Sequence, residues 1–368
     1  MPELTPLAIV LNYNIIRLEL VFLNKNIKPV KVGDCILNGE KIYIQSMLNI
    51  PAQDIAGNVA QAIALEQAGC EIIRTAVPNL EAVKLIPAIK ENINIPLVAD
   101  IHFDYKIALE CISAGVDKIR INPGNIGSMD RVKQVALACK SKQIPIRIGV
   151  NSGSLEKEIL AKYGSPTPEA LVESALYHVK MLETFDFDDI VISIKSSDVN
   201  RMIDSYRLAR QKCNYPLHLG VTEAGTERMG LIKSAIGIGA LLHDNIGETI
   251  RVSLTDDPIK EIKAAKDILK SIDKREGVQI VACPTCGRTQ IDLITLANQI
   301  EKAVANINKN IKIAVMGCVV NGPGEAREAD IGVAGGNGIG LLFKHGEILK
   351  RVPENEIVSA LLEELEQL

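Results

Sequence analysis

Tryptophan is absent from the 368 residues, and aromatic side chains make up only 3% of them. Stacking platforms for bases or sugars are therefore poorly supplied. Positive charge is not in excess either: 41 Lys and Arg stand against 45 Asp and Glu, a formal charge of −4, which argues against a nucleic-acid partner. Nor is there a clean apolar run of the ~20 residues that a bilayer span needs. The nearest stretch, Leu7 to Leu23, is interrupted by Asn12, Asn14, Arg17 and Glu19. It also lacks the basic start, apolar centre and small-residue cleavage site of a signal peptide. Residues 1–29 are accordingly expected to be a poorly ordered leader, and the chain to work in the cytoplasm. With 47% hydrophobic and 23% charged residues, disorder, collagen and coiled coil are excluded.

Disulfides are not expected of the eight cysteines in such a compartment. Cys35, Cys70, Cys111, Cys139 and Cys213 are scattered singly and read as small buried apolar residues. Cys283, Cys286 and Cys318 are grouped differently and are taken up below.

What is present is a repeat. From about residue 42 to residue 271, short β-branched runs alternate with longer segments of helical period, the pattern of βα units around a parallel sheet. The strands are expected at Ile42 to Ser46, Glu71 to Val77, Pro96 to Ile101, Lys118 to Asn122, Pro145 to Val150, Ile190 to Lys195, Leu217 to Thr222 and Thr249 to Leu254. That makes the fold class α/β, a (β/α)8 TIM barrel over residues 30–273. The first helix places Ile55, Val59, Ala62 and Ile63 on one stripe, as an outer helix should. The form AGxxxIR recurs at Ala68–Arg74 and Ala114–Arg120, with Gly ending a helix and Arg at the same point of the next strand.

Polar residues stand late in these strands or just after them: Arg74, Asp100 with His102, Arg120 with Asn122, Arg147 with Asn151, Lys195, Glu223, and Arg251 with Ser253. In a TIM barrel such positions converge on one mouth, where active sites are built. A cationic ring in a chain of net negative charge implies a ligand of concentrated negative charge, phosphate or diphosphate, because guanidinium offers paired donors matched to its oxygens. A structural salt-bridge network is the alternative. Asp100, Asn122, Asn151 and Glu223 suit hydroxyl recognition and proton transfer, although Asn122 has a simpler account as a turn cap.

After Lys274 the pattern changes to a smaller α+β domain, residues 274–368, behind a polar linker at 272–277. Strands are expected at Val278 to Ala282, Ile311 to Met316 and near Ile331 to Ala334, with a helix from Ile291 to Ile307, a hairpin around His345 and a last helix from Pro353. Cys283-Pro-Thr-Cys286 brings two thiols together across a tight turn, and Cys318 follows another strand end, so the three sulfurs can meet. Zinc, an iron-sulfur cluster and plain packing all remain open for them. A 4Fe-4S cluster on three thiolates leaves one iron for an exchangeable oxygen ligand, and Glu325 in the following loop is placed to supply it. Zinc would want a fourth ligand, for which only His345 is at hand in this domain.

Long stretches resemble one family. They are Gln45-Ser46-Met47, Val98 to Asp104, Arg120 to Gly127, Arg147 to Asn151, Ser154 to Lys157, His218 to Gly225, the CPTCGR turn from Cys283, and Val320 to Glu325. The sequence is similar to the 4-hydroxy-3-methylbut-2-enyl diphosphate synthases, the GcpE family, in their two-domain bacterial form, from about Val30 to the C-terminus. It departs from them after Met47, where Leu48-Asn49-Ile50-Pro51 replaces a Thr-rich segment. The resemblance implies reductive opening of a cyclic diphosphate, 2-C-methyl-D-erythritol 2,4-cyclodiphosphate, by an enzyme of isoprenoid biosynthesis. It implies a 4Fe-4S cluster on Cys283, Cys286, Cys318 and Glu325, and diphosphate contacts from Arg74, Arg120, Arg147, Lys195, Arg251 and Ser253. Asp100, Asn122, Asn151 and Glu223 would lie near the erythritol part, with Glu223 in proton transfer. It further implies flavodoxin or ferredoxin as electron donor and a homodimer whose sites are shared between chains. The alternative is another phosphate- or pterin-binding TIM-barrel enzyme with a structural zinc.

Overall fold

The computed structural model of the chain describes residues 26–305, 307–318, 327–336 and 338–367; residues 1–25 of the expected leader, and Glu325, lie outside the described residues. The chain divides into two compact units, one through Ile268 and one from Leu269 to Leu368.

The first unit opens with an antiparallel hairpin, β1 (Val30–Val32) and β2 (Cys35–Leu37). Eight parallel strands follow: β3 (Tyr43–Met47), β4 (Ile72–Ala76), β5 (Leu97–Asp100), β6 (Lys118–Ile121), β7 (Ile146–Asn151), β8 (Ile190–Lys195), β9 (His218–Leu219) and β10 (Thr249–Ile250). Their order is β8-β7-β6-β5-β4-β3-β10-β9. A bridge between Ile192 and Leu217, with Ile192 N donating to Pro216 O at 2.9 Å, joins β8 to β9 and closes the ring. The eight-stranded barrel expected from the repeat is therefore present. Strands covered on both faces read as continuous apolar runs, such as Ile72-Ile73 and Leu97-Val98-Ala99, all buried.

Three details differ from the sequence expectations. The initial hairpin was not anticipated; its Val30, Val32, Cys35 and Leu37 pack against Ile72, Val98 and Val191 and plug one end of the barrel. The last two strands are shorter than their apolar runs because the chain leaves the ladder to form the mouth: a Cβ on Gly220 would lie 2.7 Å from Arg251 O, so the two backbones nearly touch there. The first helix, Ile55–Gln67, buries Asn58, Ala62 and Leu65, while Ile55 is exposed. Asn58 is tolerated inside because its Nδ2 donates to Pro51 O at 2.9 Å and Asp54 O at 2.8 Å, which fixes the helix's rotation.

The second unit is a five-stranded sheet ordered β11 (Val278–Ala282), β12 (Ile311–Met316), β13 (Ile331–Gly336), β14 (Ile339–Lys344) and β15 (Glu347–Pro353). The first three strands are parallel and the last two antiparallel. Helices Leu293–Val304 and Ile357–Leu365 cover one face through Leu296, Ile300, Ile357 and Leu361, packed on Ile313, Val315 and Val333. The hairpin turn holds His345 as expected.

Candidate active site

Alternate residues of each barrel strand point inward, so Lys118 and Arg120, two apart on β6, share the interior with Arg74, Asp100 and Arg147. Asp100 organises this group. One carboxylate oxygen lies 3.1 Å from Arg120 Nη1 and the other 3.6 Å from Arg74 Nε. Burial alone would raise the Asp100 pKa, but Arg74, Arg120 and Arg147 prevail and hold it far below the usual carboxylate range. Arg120 also donates to Gly149 O at 3.3 Å, an approach open only because residue 149 has no side chain: a Cβ there would sit 2.4 Å from Arg120 Nε. Arg74 rests on Met47 Sδ at 2.7 Å, and burial brings its pKa down to about 10.

Below these lies a layer with unused donors. Arg147, fully buried, reaches Gln45 Oε1 at 3.4 Å through Nη1, while its Nε and Nη2, Arg120 Nε, Gln45 Nε2 and Lys118 Nζ are buried without a partner. Buried cationic donors of this kind are costly unless something anionic meets them. Arg251, by contrast, is matched to Glu261 at 3.4 Å, and that carboxylate also accepts from Ser46 Oγ at 3.1 Å and Leu254 N at 3.0 Å. Arg74, Lys195, His218, Arg251 and Ser253 line one cavity, together with Thr222 and Tyr206. Burial, then Arg120 and Arg74, push the Lys195 pKa down to about 7. Burial, then Arg147 and Lys118, push that of His218 well down, leaving it neutral with Nδ1 at 2.8 Å from Thr249 Oγ1.

The remaining expected residues are placed less centrally. Asn151 ends β7 opposite Lys195 in register. Asn122 is buried but acts as the cap foreseen for it, its Oδ1 accepting from Gly124 N at 3.1 Å. Glu223 is exposed on the turn after β9, beside the cavity-lining Thr222, and adopts φ +55°, a left-handed conformation uncommon outside glycine. Sequence reasoning missed Lys118 and His218. For Lys118 the signal existed, since a two-residue step from Arg120 stays on the same strand face.

In the second unit, Cys283 directly follows β11 and Cys318 lies two residues past β12. Gly317 N donates to Cys283 Sγ at 3.2 Å. The turn carrying Cys286 is tied to the same segment, with Thr289 N bonding Cys286 O at 3.0 Å and Gln290 N bonding Gly317 O at 2.9 Å. Cys286 is exposed, and hydrogen bonding from Arg288 lowers its thiol pKa, favouring thiolate. Among the described residues no group of three or more His, Cys, Asp or Glu is gathered into a metal-binding arrangement. The donor chemistry nevertheless suits a thiolate-held cluster: two adjacent strand ends and a tethered turn carry soft sulfur ligands, one of them already accepting a backbone N–H. It suits zinc less well. His345 adjoins Lys344, which pairs with Ile331 at the start of β13, whereas the cysteines follow the far ends of the parallel strands β11 and β12. His345 is thus at the opposite edge of the sheet. The five scattered cysteines behave as packing residues: Cys35, Cys70, Cys111 and Cys139 are buried and Cys213 half-buried, all with thiol pKa values raised by burial.

A closed α/β barrel with a cationic interior, followed by a sheet domain carrying thiols at its strand ends, defines the class as a two-domain TIM-barrel protein. The chain belongs to the GcpE family: the GcpE TIM-barrel domain matches residues 27–266 and the GcpE protein C-terminal domain matches residues 279–367. It is 60% identical to a 4-hydroxy-3-methylbut-2-en-1-yl diphosphate synthase (flavodoxin) of Clostridium perfringens, over 93% of this chain and 99% of that one. The identity to the synthase of the same name from Fusobacterium nucleatum is 57%, over 94% and 97% of the two chains. Among solved structures, a dihydropteroate synthase of Stenotrophomonas maltophilia superposes with a TM-score of 0.51 at 12% identity, covering 67% of this chain and 97% of that one, a likeness of barrel fold alone.

Proposed function

We propose that the protein converts 2-C-methyl-D-erythritol 2,4-cyclodiphosphate to 4-hydroxy-3-methylbut-2-enyl diphosphate. The observation that carries this reading is the set of buried, partnerless donors of Arg147, Arg120 and Lys118 inside the barrel, in a chain so similar to synthases of that name. The reaction breaks one carbon–oxygen bond of the ring and the carbon–hydroxyl bond next to it, forms a carbon–carbon double bond between those two carbons, consumes two electrons and a proton, and releases the hydroxyl oxygen as water. A 4Fe-4S cluster on Cys283, Cys286, Cys318 and Glu325 would supply the electrons singly and a Lewis-acidic iron.

The chain's own residues do the rest. Arg74, Arg120, Arg147, Lys195, Arg251 and Ser253 grip the diphosphate and stabilise the charge that grows on it as the ring opens. Asp100 holds the Arg74 and Arg120 guanidinium groups in place beforehand, so no reorientation is needed during reaction. Asn122 and Asn151 face the erythritol part, and Glu223 handles the proton. The barrel, residues 30–273, serves as substrate domain, and residues 274–368 serve as cluster domain. Flavodoxin, part of the relatives' names, is the electron donor in this reading, with ferredoxin as the other carrier of the same role. A homodimer working in the cytoplasm belongs to the same proposal.

The test is anaerobic purification followed by metal analysis and turnover with a reduced one-electron donor. A brown protein with about four irons per chain that consumes the cyclic diphosphate is expected, and chelation of the iron should abolish turnover. A colourless zinc protein that is inert toward this substrate would refute it.

A further inference from the structure

His178 lies at the centre of a contact that the reaction described so far does not use. It sits on the helix Pro168–Glu183, its side chain is 0% exposed, and its Nε2 is 2.6 Å from Glu156 Oε1. Burial opposes ionisation of Glu156, but hydrogen bonds from His178 and Ser174 outweigh it and bring the carboxyl pKa down to about 2. An ionised carboxylate only accepts, so Nε2 carries the proton and donates it. His178 Nδ1 is buried without a partner.

Each partner of this pair belongs to, or presses on, a mouth loop. Glu156 caps the short helix Lys157–Tyr163 in position but makes no capping bond with its side chain, which reaches across to His178 instead. It ends the connection that begins at Asn151, a connection kept tight by Ser154 N donating to Asn151 O at 3.1 Å. On its other side the imidazole lies against the loop of Asn122: a Cβ on Gly124 would be 3.1 Å from His178 Cε1, and Gly124 N is the donor that Asn122 caps. One hydrogen-bonded pair therefore braces both loops that present the asparagines.

We propose that Glu156 and His178 are positioning residues for the substrate's polyol part, fixing the Asn122 and Asn151 loops before the cyclic diphosphate arrives, an inference that rests on the function proposed above. Neither residue touches the diphosphate grip, whose cations come from the strands themselves. The pair should therefore discriminate a ligand with a polyol from one without.

Calorimetric binding to the full chain tests this with two probes, the cyclic diphosphate and inorganic diphosphate. His178→Leu should weaken the cyclic diphosphate about tenfold, the loss expected for a disrupted charge-assisted contact, while inorganic diphosphate binds within about twofold of wild type. His178→Gln, which keeps an Nε2 donor, should recover most of the affinity, and KM should follow the binding while kcat stays near wild type. If His178→Leu does not fold, Glu156→Gln takes its place, with a smaller loss confined to the cyclic ligand. Equal losses for both ligands, or none, would overturn the positioning role. Failure of the wild-type protein to bind the cyclic diphosphate at all would instead bring down the function on which it rests.

Discussion

Replacing Asp100 by Asn removes one negative charge and leaves the volume and shape of the site unchanged. The carboxylate is 2% exposed and engages Arg120 at 3.1 Å and Arg74 at 3.6 Å, with Arg147 close enough to lower its pKa further. Breaking a buried ion pair from one side costs about 3–5 kcal/mol, because the remaining charge stays buried without compensation. In a unit of this size each kcal/mol corresponds to about 2–4 °C in Tm, so the barrel transition should fall by about 6–20 °C. Because the folded-state pKa is depressed, the stabilisation is fully present above the unfolded carboxylate value and fades only as pH drops toward the folded one. The deficit of Asp100→Asn should accordingly be flat from about pH 5 upward and shrink below about pH 4. Inorganic diphosphate supplies what the mutation removes. At a hundred times Kd it adds about 2.7 kcal/mol to any protein that binds it, but the variant, whose Arg74 and Arg120 are no longer held in place by a carboxylate, should bind it less tightly and gain the smaller upshift at equal diphosphate concentration. Differential scanning calorimetry with and without diphosphate measures both effects. A variant that melts within about 2 °C of wild type, or that gains as much from diphosphate as wild type does, would show that Asp100 does not organise the cations.

Two further perturbations probe the same mouth. Lys195, with its pKa near 7 in the empty site, should take up nearly one proton when diphosphate binds at about pH 8, seen as a binding heat that varies with buffer ionisation enthalpy. Lys195→Met should lose that uptake; an unchanged uptake would assign the proton elsewhere. Since its folded-state pKa is lowered, Lys195 also makes the unliganded barrel gain stability as pH rises from about 7 toward the ordinary lysine value. Gly149→Ala inserts a methyl 2.4 Å from Arg120 Nε and must swing that guanidinium off Asp100 and Gly149 O. Diphosphate affinity should fall about tenfold or more, and an affinity within twofold of wild type would remove Arg120 from the grip.

Much of this was legible in the sequence because two periodicities carried it. The alternation of apolar runs with helical stripes marked the barrel strands, and Val278–Ala282 and Ile311–Met316 fall at the residues their composition suggested. Arg120 and Arg251, late in a strand or just after it, pointed to the mouth because strand direction in a parallel barrel sends every strand's end to the same side, whereas Arg147, expected late, is the second residue of β7 and lies deeper. The hairpin Val30–Leu37 escaped notice because strands of three residues are too short to display a period. The face of the first helix was misjudged because Asn58, polar by type, satisfies its amide locally and turns inward. His218 and Lys118 were missed for a related reason: their chemistry depends on neighbours from other strands, Arg147 foremost, which lie far away along the chain.

The hairpin's three-residue strands have an effect out of proportion to their length. By stoppering the barrel beneath Val98 and Ile72 with Val30, Val32 and Leu37, they make a vessel with a single opening. Lys118 and Arg147 are thereby kept from water on that side, and burial is the first reason that their pKa values lie well below the ordinary ones. A ligand for these donors has to come from the opposite ends of the strands, so a hairpin of three-residue strands sets its side of entry.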